Sequence, residues 1–124
     1  MLALAALGDA ARDALQFRYG STLFANLGHP GWWNPALSWR NKWKDGLPAH
    51  GEAFPLSSTL LVPFTDGWHA LKAFSLACLV LAVAVPLMQV LRTSRIQGAL
   101  LCLGLALLYG SVFEAAFSRL WTVR

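Results

Sequence analysis

The chain has 124 residues, enough for one compact domain; 56% of them are apolar and only 13% are charged. Its mean hydropathy of +0.50 is unusual for a soluble domain, because so short a chain has little other mass with which to cover long apolar segments. The net charge is +4. Its basic residues lie beside apolar runs and tryptophans, which favours anionic lipid headgroups over nucleic acid as the partner.

The first segment, Met1–Gln16, predicts a helix, since it is rich in Ala and Leu and lacks β-branched residues. Leucines recur near one face, and Asp9, Arg12 and Asp13 lie around the rest of the circumference. Two interpretations stay open: an amphipathic helix at the membrane surface, or a helix that partly spans the membrane. The three charges favour the surface, because each would need a partner inside a bilayer.

Residues 17–69 form a second predicted region, in which Gly and Pro interrupt any long helix and tryptophans alternate with basic residues. Asn34-Pro35 predicts the start of a short helix with Asn34 as its N-cap. A tryptophan has an apolar body and a polar N–H, so it settles at the headgroup level, where Lys and Arg reach phosphates. We therefore predict an interfacial region that contacts lipid or a partner protein. The candidate contact residues are Trp32, Trp33, Trp39, Arg40, Lys42, Trp43, Lys44 and, near the other end of the chain, Trp121.

Residues 70–124 contain two long apolar runs, Ala73–Leu91 and Ile96–Phe113, of 19 and 18 residues without Asp, Glu, Lys, Arg or His. As helices they would each reach roughly 27–28 Å, close to the hydrocarbon thickness of a bilayer, about 30 Å. The connection Arg92–Arg95 is too short for anything but a tight turn. The sequence therefore predicts an all-α integral membrane protein: a transmembrane helical hairpin, an N-terminal helical segment and a Trp-rich interfacial region.

Small residues recur at every fourth position of the second run, at Gly98, Cys102, Ala106 and Gly110. Small side chains let another helix approach closely, so this stripe predicts a helix-packing face. Chance scatter in an Ala-rich chain is the alternative. Cys78 and Cys102 both fall inside the apolar runs, without the spacing of a metal site.

One group of polar residues could carry chemistry: Asp66, His69 and Glu114. On a helix, Asp66 and His69 would present a carboxylate and an imidazole together, and a hairpin would return Glu114 to the same membrane side. With Asp9 or Asp13 they could hold a metal ion or relay a proton. Against a metal, the chain lacks the repeated Glu-x-x-His or His-x-x-x-His spacing of such sites. Helix capping by Asp66 is the simpler alternative.

A Ser-His-Asp triad is a further possibility, with Ser57 or Ser58 beside Asp66 and His69. The sequence has no G-x-S-x-G motif, and triads are recognised by geometry rather than spacing. The sequence alone therefore gives this arrangement little support.

Two short motifs, S-W-R-N-K-W-K at Ser38–Lys44 and T-D-G-W-H at Thr65–His69, resemble a family of small uncharacterised bacterial membrane proteins. Its members carry S-W-(K/R)-N-K and T-D-(A/G)-W-H in this order beside apolar spans of similar length, and the similarity covers roughly residues 16–91. The resemblance implies a bacterial polytopic membrane protein and implies no activity.

The distribution of basic residues predicts an orientation. Seven Lys or Arg residues flank the outer ends of the hairpin and two lie in its turn. The positive-inside rule then places the Trp-rich region and the C-terminus in the cytoplasm, with the hairpin in the bacterial inner membrane.

Three functions follow as expectations. The first is non-enzymatic: a small accessory or structural subunit of a larger membrane complex, in contact with membrane lipids and other integral membrane subunits, with no cofactor. The second is a metal-dependent membrane enzyme that acts on a lipid or lipophilic substrate through Asp66, His69 and Glu114. The third is a pigment- or quinone-binding subunit with His69 as a ligand.

Overall fold

The computed structural model describes the backbone of residues 1–120 and the side chains of residues 1–112. This part of the chain is mostly helical and contains no strand, which confirms the predicted all-α class. The α-helices are α1 (Leu2–Arg18), α2 (Pro30–Trp33), α3 (Pro35–Ser38), α4 (Gly67–Leu91) and α5 (Arg95–Leu120). Between them lie 3₁₀ turns at Tyr19–Ser21, Leu23–Asn26, Trp39–Lys42, Lys44–Gly46, Pro48–His50 and Val62–Phe64.

The chain divides into two compact units. One comprises Ala3–Ser75, and the other comprises Met1–Leu2 with the chain from Leu76 onward. The long helix α4 contributes its first turns to the former unit and the rest to the latter.

Within the unit Ala3–Ser75, α1 packs closely on the first turns of α4 at Gly8. A Cβ atom there would collide with Ser75 Oγ and lie 3.0 Å from Phe74 Cδ1. Leu15, about two turns further along the same face of α1, has no exposed surface. Glycine at position 8 thus lets the two helices approach.

Residues 17–66 follow a path fixed by local turns and a few longer hydrogen bonds. Asn34 caps α3, since its Oδ1 accepts the Ala36 N–H at 3.0 Å, as the sequence predicted. A bridge between Trp43 and Glu52 closes the following loop. Glu52 then accepts hydrogen bonds from the Leu56 and Ser58 backbone N–H groups and from the Ser58 hydroxyl.

The connection between α4 and α5 is the tight turn that the sequence predicted. Arg92 adopts a left-handed conformation (φ 51°), and Thr93 N–H donates to the Met88 carbonyl at 3.2 Å, which terminates α4 in a Schellman motif. Ser94 and Gln97 then form a capping box: Ser94 N–H donates to Gln97 Oε1 at 2.8 Å, and Gln97 N–H donates to Ser94 Oγ at 3.4 Å.

Two helices are long and apolar enough to cross a membrane: α4, and residues Arg95–Val112 of α5 in the range where side chains are described. Next to the turn they touch, since a Cβ atom at Gly98 would collide with the Met88 side chain. Further from the turn an apolar groove of about 480 Å³ separates them, lined by Leu76, Leu79, Val80, Val83, Leu105, Leu108, Tyr109 and Val112.

Candidate functional site

Asp66 and His69 meet at the N-terminus of α4. Asp66 is the N-cap: its Oδ1 accepts the His69 N–H at 2.9 Å, and its carbonyl accepts the Ala70 N–H at 3.0 Å. Its other oxygen, Oδ2, lies 2.7 Å from His69 Nδ1 and 3.0 Å from the Thr65 hydroxyl. The Asp66 residue is only 2% exposed. Asp66 is therefore both the predicted helix cap and the carboxylate of the predicted carboxylate–imidazole pair.

The surroundings of Asp66 keep it ionised. Burial raises the pKa of its carboxyl group. Hydrogen bonds from the His69 ring and backbone N–H, the electrostatic attraction of His69 and the hydrogen bond from the Thr65 hydroxyl together lower the pKa by more than burial raises it. The resulting pKa lies below its ordinary value. An ionised Oδ2 accepts the proton on Nδ1, which leaves the lone pair of neutral His69 on Nε2.

A cleft of about 210 Å³ opens beside this pair. The His69 side chain keeps 23% of its surface exposed, whereas that of Asp66 keeps 3%. The imidazole is thus the accessible member of the pair, and the carboxylate orients it from behind. The lining residues are Gln16, Pro35, Ser38, Trp39, Asp66, Trp68 and His69.

Part of the cleft lining, Ser38 and Trp39, comes from the segment Ser38–Lys42, which lies more than twenty residues earlier in the sequence. Asn41 holds this segment in place, because its Nδ2 donates to the Thr65 carbonyl at 2.8 Å and to the Gly31 carbonyl at 2.7 Å. Ser38 and Trp39 consequently line the same cleft as Asp66 and His69. Residues of two sequence segments, Ser38–Lys44 and Thr65–His69, thus line one cleft.

Trp68 lines the cleft and also contacts His69 and two cations. Its ring lies edge-on to the His69 ring, with centroids 4.9 Å apart. The Arg12 guanidinium and the Lys72 ammonium lie 5.7 Å and 5.5 Å from the Trp68 centroid. Arg12 in turn pairs with Asp9 at 3.2 Å and with Asp13 at 3.3 Å. These two carboxylates, considered above as possible members of the site, are engaged by Arg12.

The aromatic-basic residues differ in exposure: Trp32, Trp33, Lys42 and Trp43 are half-buried, and Trp39, Arg40 and Lys44 are exposed. The Trp33 ring packs against Phe24, with centroids 5.0 Å apart, and against Gly67. Trp39 is 40% exposed, and the Arg40 guanidinium lies 5.5 Å from its ring centroid. Lys42 and Trp43 form a similar pair at 5.9 Å. Trp121 lies outside the described residues.

The small-residue stripe has no common environment. Gly98 is buried against Met88, Cys102 and Ala106 are half-buried, and a Cβ atom at Gly110 would meet nothing within 4 Å. The stripe thus packs within the chain at one end and is open at the other. Whether its open end contacts a partner stays a prediction.

The remaining predicted site residues are Glu114, Ser57 and Ser58. The Glu114 side chain lies outside the described residues, so its place beside Asp66 and His69 stays a prediction. Residues 1–112 contain no group of three or more His, Cys, Asp or Glu residues that could hold a metal ion. Ser57 donates to the Lys42 carbonyl at 2.8 Å, and Ser58 bonds to Glu52. Neither serine lines the cleft.

Sequence reasoning missed two polar members of the cleft, Gln16 and Ser38. Ser38 is 2% exposed and shares the cleft with the Asp66–His69 pair. Its place at the head of the S-W-R-N-K motif was the available signal.

Comparison of the chain with protein-family models, curated protein sequences and solved structures gives no match. Functional conclusions therefore depend on the residues and geometry described above.

Proposed function

We propose that this protein is an integral membrane protein in which α4 and α5 form a transmembrane hairpin, and that it serves as a small accessory subunit of a larger bacterial membrane complex. The observation that carries the proposal is the exposure of these helices. Only 17% of the candidate span in α4 and 6% of that in α5 are buried. A core helix of a soluble protein would be mostly buried, whereas a membrane helix presents its apolar side chains to lipid or to partner helices.

The dimensions support the same proposal. Helix α4 has 25 residues and a length of about 37 Å, enough to cross the hydrocarbon core with some tilt. Pro86 lies within α4, where partner helices can satisfy the backbone carbonyl that it leaves free. In the three-residue connection between the helices, the backbone N–H groups form hydrogen bonds with the end of α4 and with the Gln97 side chain.

Partner contact is assigned to the open end of the small-residue stripe, at Gly110. A Cβ atom at this position meets nothing within 4 Å in the described chain, so we expect Gly110→Leu to leave the hairpin folded. A partner helix packed there would be displaced by the added volume.

The test is gentle extraction from the native membrane in detergent, followed by mass spectrometry of the co-purifying proteins. The proposal expects stoichiometric larger subunits with the wild-type chain and their loss with Gly110→Leu. The matched control is Gly104→Leu, since Gly104 is equally open and lies about 120° around α5 from Gly110. Recovery of the wild-type protein without other subunits, or equal behaviour of both variants, would contradict the proposal.

A second candidate function is favoured by the Asp66–His69 pair. A buried carboxylate that orients an accessible imidazole beside a cleft is an arrangement used for proton transfer and for metal binding. We propose as the alternative a membrane-associated enzyme that acts on a lipid or lipophilic substrate, with His69 as the acid–base group or metal ligand. Elemental analysis tests the metal form: stoichiometric metal that is lost in His69→Ala supports it, and metal-free wild-type protein contradicts it.

A further inference from the structure

Ser38 lines the cleft that the Asp66–His69 pair also lines. It is the last residue of α3, it is 2% exposed, and it lines the same 210 Å³ cavity as the carboxylate and the imidazole. The neighbouring hydroxyls are engaged elsewhere: Ser57 bonds to the Lys42 carbonyl, and Thr65 bonds to the Val62 carbonyl and to Asp66. Ser38 is therefore the residue of the cleft lining that carries a hydroxyl group.

The three residues have the chemical roles of a nucleophilic site. A serine hydroxyl is a weak nucleophile until a base removes its proton, and neutral imidazole is that base when a carboxylate fixes its other nitrogen. Asp66 fixes Nδ1 at 2.7 Å, so the lone pair available to accept a proton is on Nε2. Ser38 and His69 are not hydrogen-bonded to each other in this structure, and a bond between nucleophile and base commonly tightens only when substrate is bound.

We propose that Ser38, His69 and Asp66 form an acyl-transfer site that hydrolyses carboxylic esters. This inference rests on the second candidate function and names its reaction and substrate class. Ser38 Oγ attacks the ester carbonyl carbon while its proton passes to Nε2 of His69. The ester C–O bond breaks, and the leaving alkoxide takes the proton from Nε2. Water then attacks the acyl-Ser38 ester, gives a proton to Nε2, and releases the acid as Ser38 recovers its proton.

The cleft restricts the substrate. Its volume is smaller than the roughly 300–1,000 Å³ of sites that enclose a whole drug-sized ligand, so it accepts an ester group with a short flanking segment. Pro35, Trp39 and Trp68 give it apolar walls, and the Gln16 amide is a polar group of the type that stabilises a developing oxyanion. The cleft lies at the start of α4, so an amphiphile with its ester near the membrane surface is the class of substrate that fits.

The test uses a fluorophosphonate probe on the full chain in detergent micelles, with the modified peptide located by mass spectrometry. The phosphorus atom bonds to Ser38 Oγ, fluoride leaves, and the serine proton passes to His69. We expect wild-type protein to be labelled at Ser38, and Ser38→Ala to lose that label. His69→Asn keeps a donor at the position of Nδ1 and lacks the base, so it should slow labelling about 10²-fold or more while α4 stays capped.

The control variant is Ser21→Ala, which removes an exposed hydroxyl outside the cleft and should be labelled like wild type. Absence of label on wild-type Ser38 would overturn the inference, and so would an unchanged labelling rate in His69→Asn. Neither result would alter the metal analysis or the co-purification described above, so failure of this inference is distinguishable from failure of either proposed function.

Discussion

The side-chain amide of Asn41 donates to the backbone carbonyl of Thr65 at 2.8 Å, across 24 positions of sequence. The same Nδ2 also donates to the Gly31 carbonyl at 2.7 Å. An amide NH₂ group has two protons, so one side chain satisfies both carbonyls. This relationship ties the segment Ser38–Lys42 to Thr65, next to the N-cap of α4, and Ser38 and Trp39 of that segment line the cleft with His69.

Replacement of Asn41 by Asp should therefore open the cleft. The variant keeps the size of the side chain, but it loses both donated protons and puts a carboxylate against two carbonyl oxygens. We expect a loss of about 1–2 kcal/mol in the free energy of unfolding of the full chain in micelles, on the basis of about 1 kcal/mol per hydrogen bond. Asn26→Asp, an exposed position, is the control and should have a much smaller effect. Equal stability of the two variants would show that Asn41 does not hold the segments together.

The Asp66 cap should contribute far more to stability than the similar pair Asp45–His50. Asp66→Ala removes the N-cap of α4 and leaves His69 and Thr65 without their partner, so we expect a loss of about 2 kcal/mol or more. Asp45 pairs with His50 at 3.2 Å on the surface, where both side chains are well exposed. We expect less than about 1 kcal/mol from Asp45→Ala. Similar losses in chemical denaturation of the two variants would contradict this ranking.

Acid should destabilise the unit that contains Asp66. Its folded-state pKa is lower than its ordinary value of 3.8, so its contribution is fully present above that value. The contribution is lost as the pH falls through the lower, folded-state pKa, because protonation breaks the bonds to His69. Thermal unfolding between pH 6 and strongly acidic pH should show this loss in wild type. Asp66→Asn, which retains a capping oxygen without the titrating group, should show a shallower decline; parallel curves would refute the assignment.

The close contact between α1 and α4 predicts that small substitutions at Ser75 and at Gly8 change the stability of the protein in opposite directions. Ser75 Oγ is buried without a hydrogen-bond partner beside Gly8. Ser75→Ala removes this unpaired group and should stabilise the protein by about 1 kcal/mol. Gly8→Ala should destabilise it by about 1–3 kcal/mol, since the new methyl group collides with the Ser75 hydroxyl. The double variant should recover part of that loss, and strict additivity of the two effects would argue against the contact.

The proposed orientation in the membrane can be tested with single cysteines on a background without Cys78 and Cys102. Under the positive-inside assignment, Ser94→Cys in the turn faces the outside of the inner membrane and Lys44→Cys faces the cytoplasm. A maleimide that cannot cross the inner membrane should label the former in intact spheroplasts and the latter only after lysis. Labelling of Lys44→Cys in intact spheroplasts would reverse the orientation.

The sequence was informative wherever a local pattern determines the structure. The helical runs, the tight turn after α4 and the Asn34 cap depend on residues within four positions of one another, and the Asp66–His69 pair follows from helical spacing. Helix α4 begins at Gly67, within a few residues of the predicted boundary at position 70.

The cleft itself depends on long-range contacts that no periodicity encodes. The loop between Trp39 and Asp66 contains no long helix or strand, so its path depends on individual bonds such as those from Asn41 to Thr65 and from Ser57 to Lys42. Ser57 was considered as a nucleophile because it is close to His69 in sequence, but it does not line the cleft. Ser38 is far from His69 in sequence and lines the cleft together with His69.

The most direct test of this account is the tautomer of His69, measured by ¹⁵N NMR of the selectively labelled protein in micelles at alkaline pH. An Asp66 carboxylate 2.7 Å from Nδ1 predicts a proton on Nδ1 and a lone pair on Nε2. Asp66→Asn should shift the proton toward Nε2, because the asparagine amide no longer requires a donor at Nδ1. A wild-type His69 protonated on Nε2 would contradict the account, since the imidazole would then present a donor, rather than a base, to the cleft.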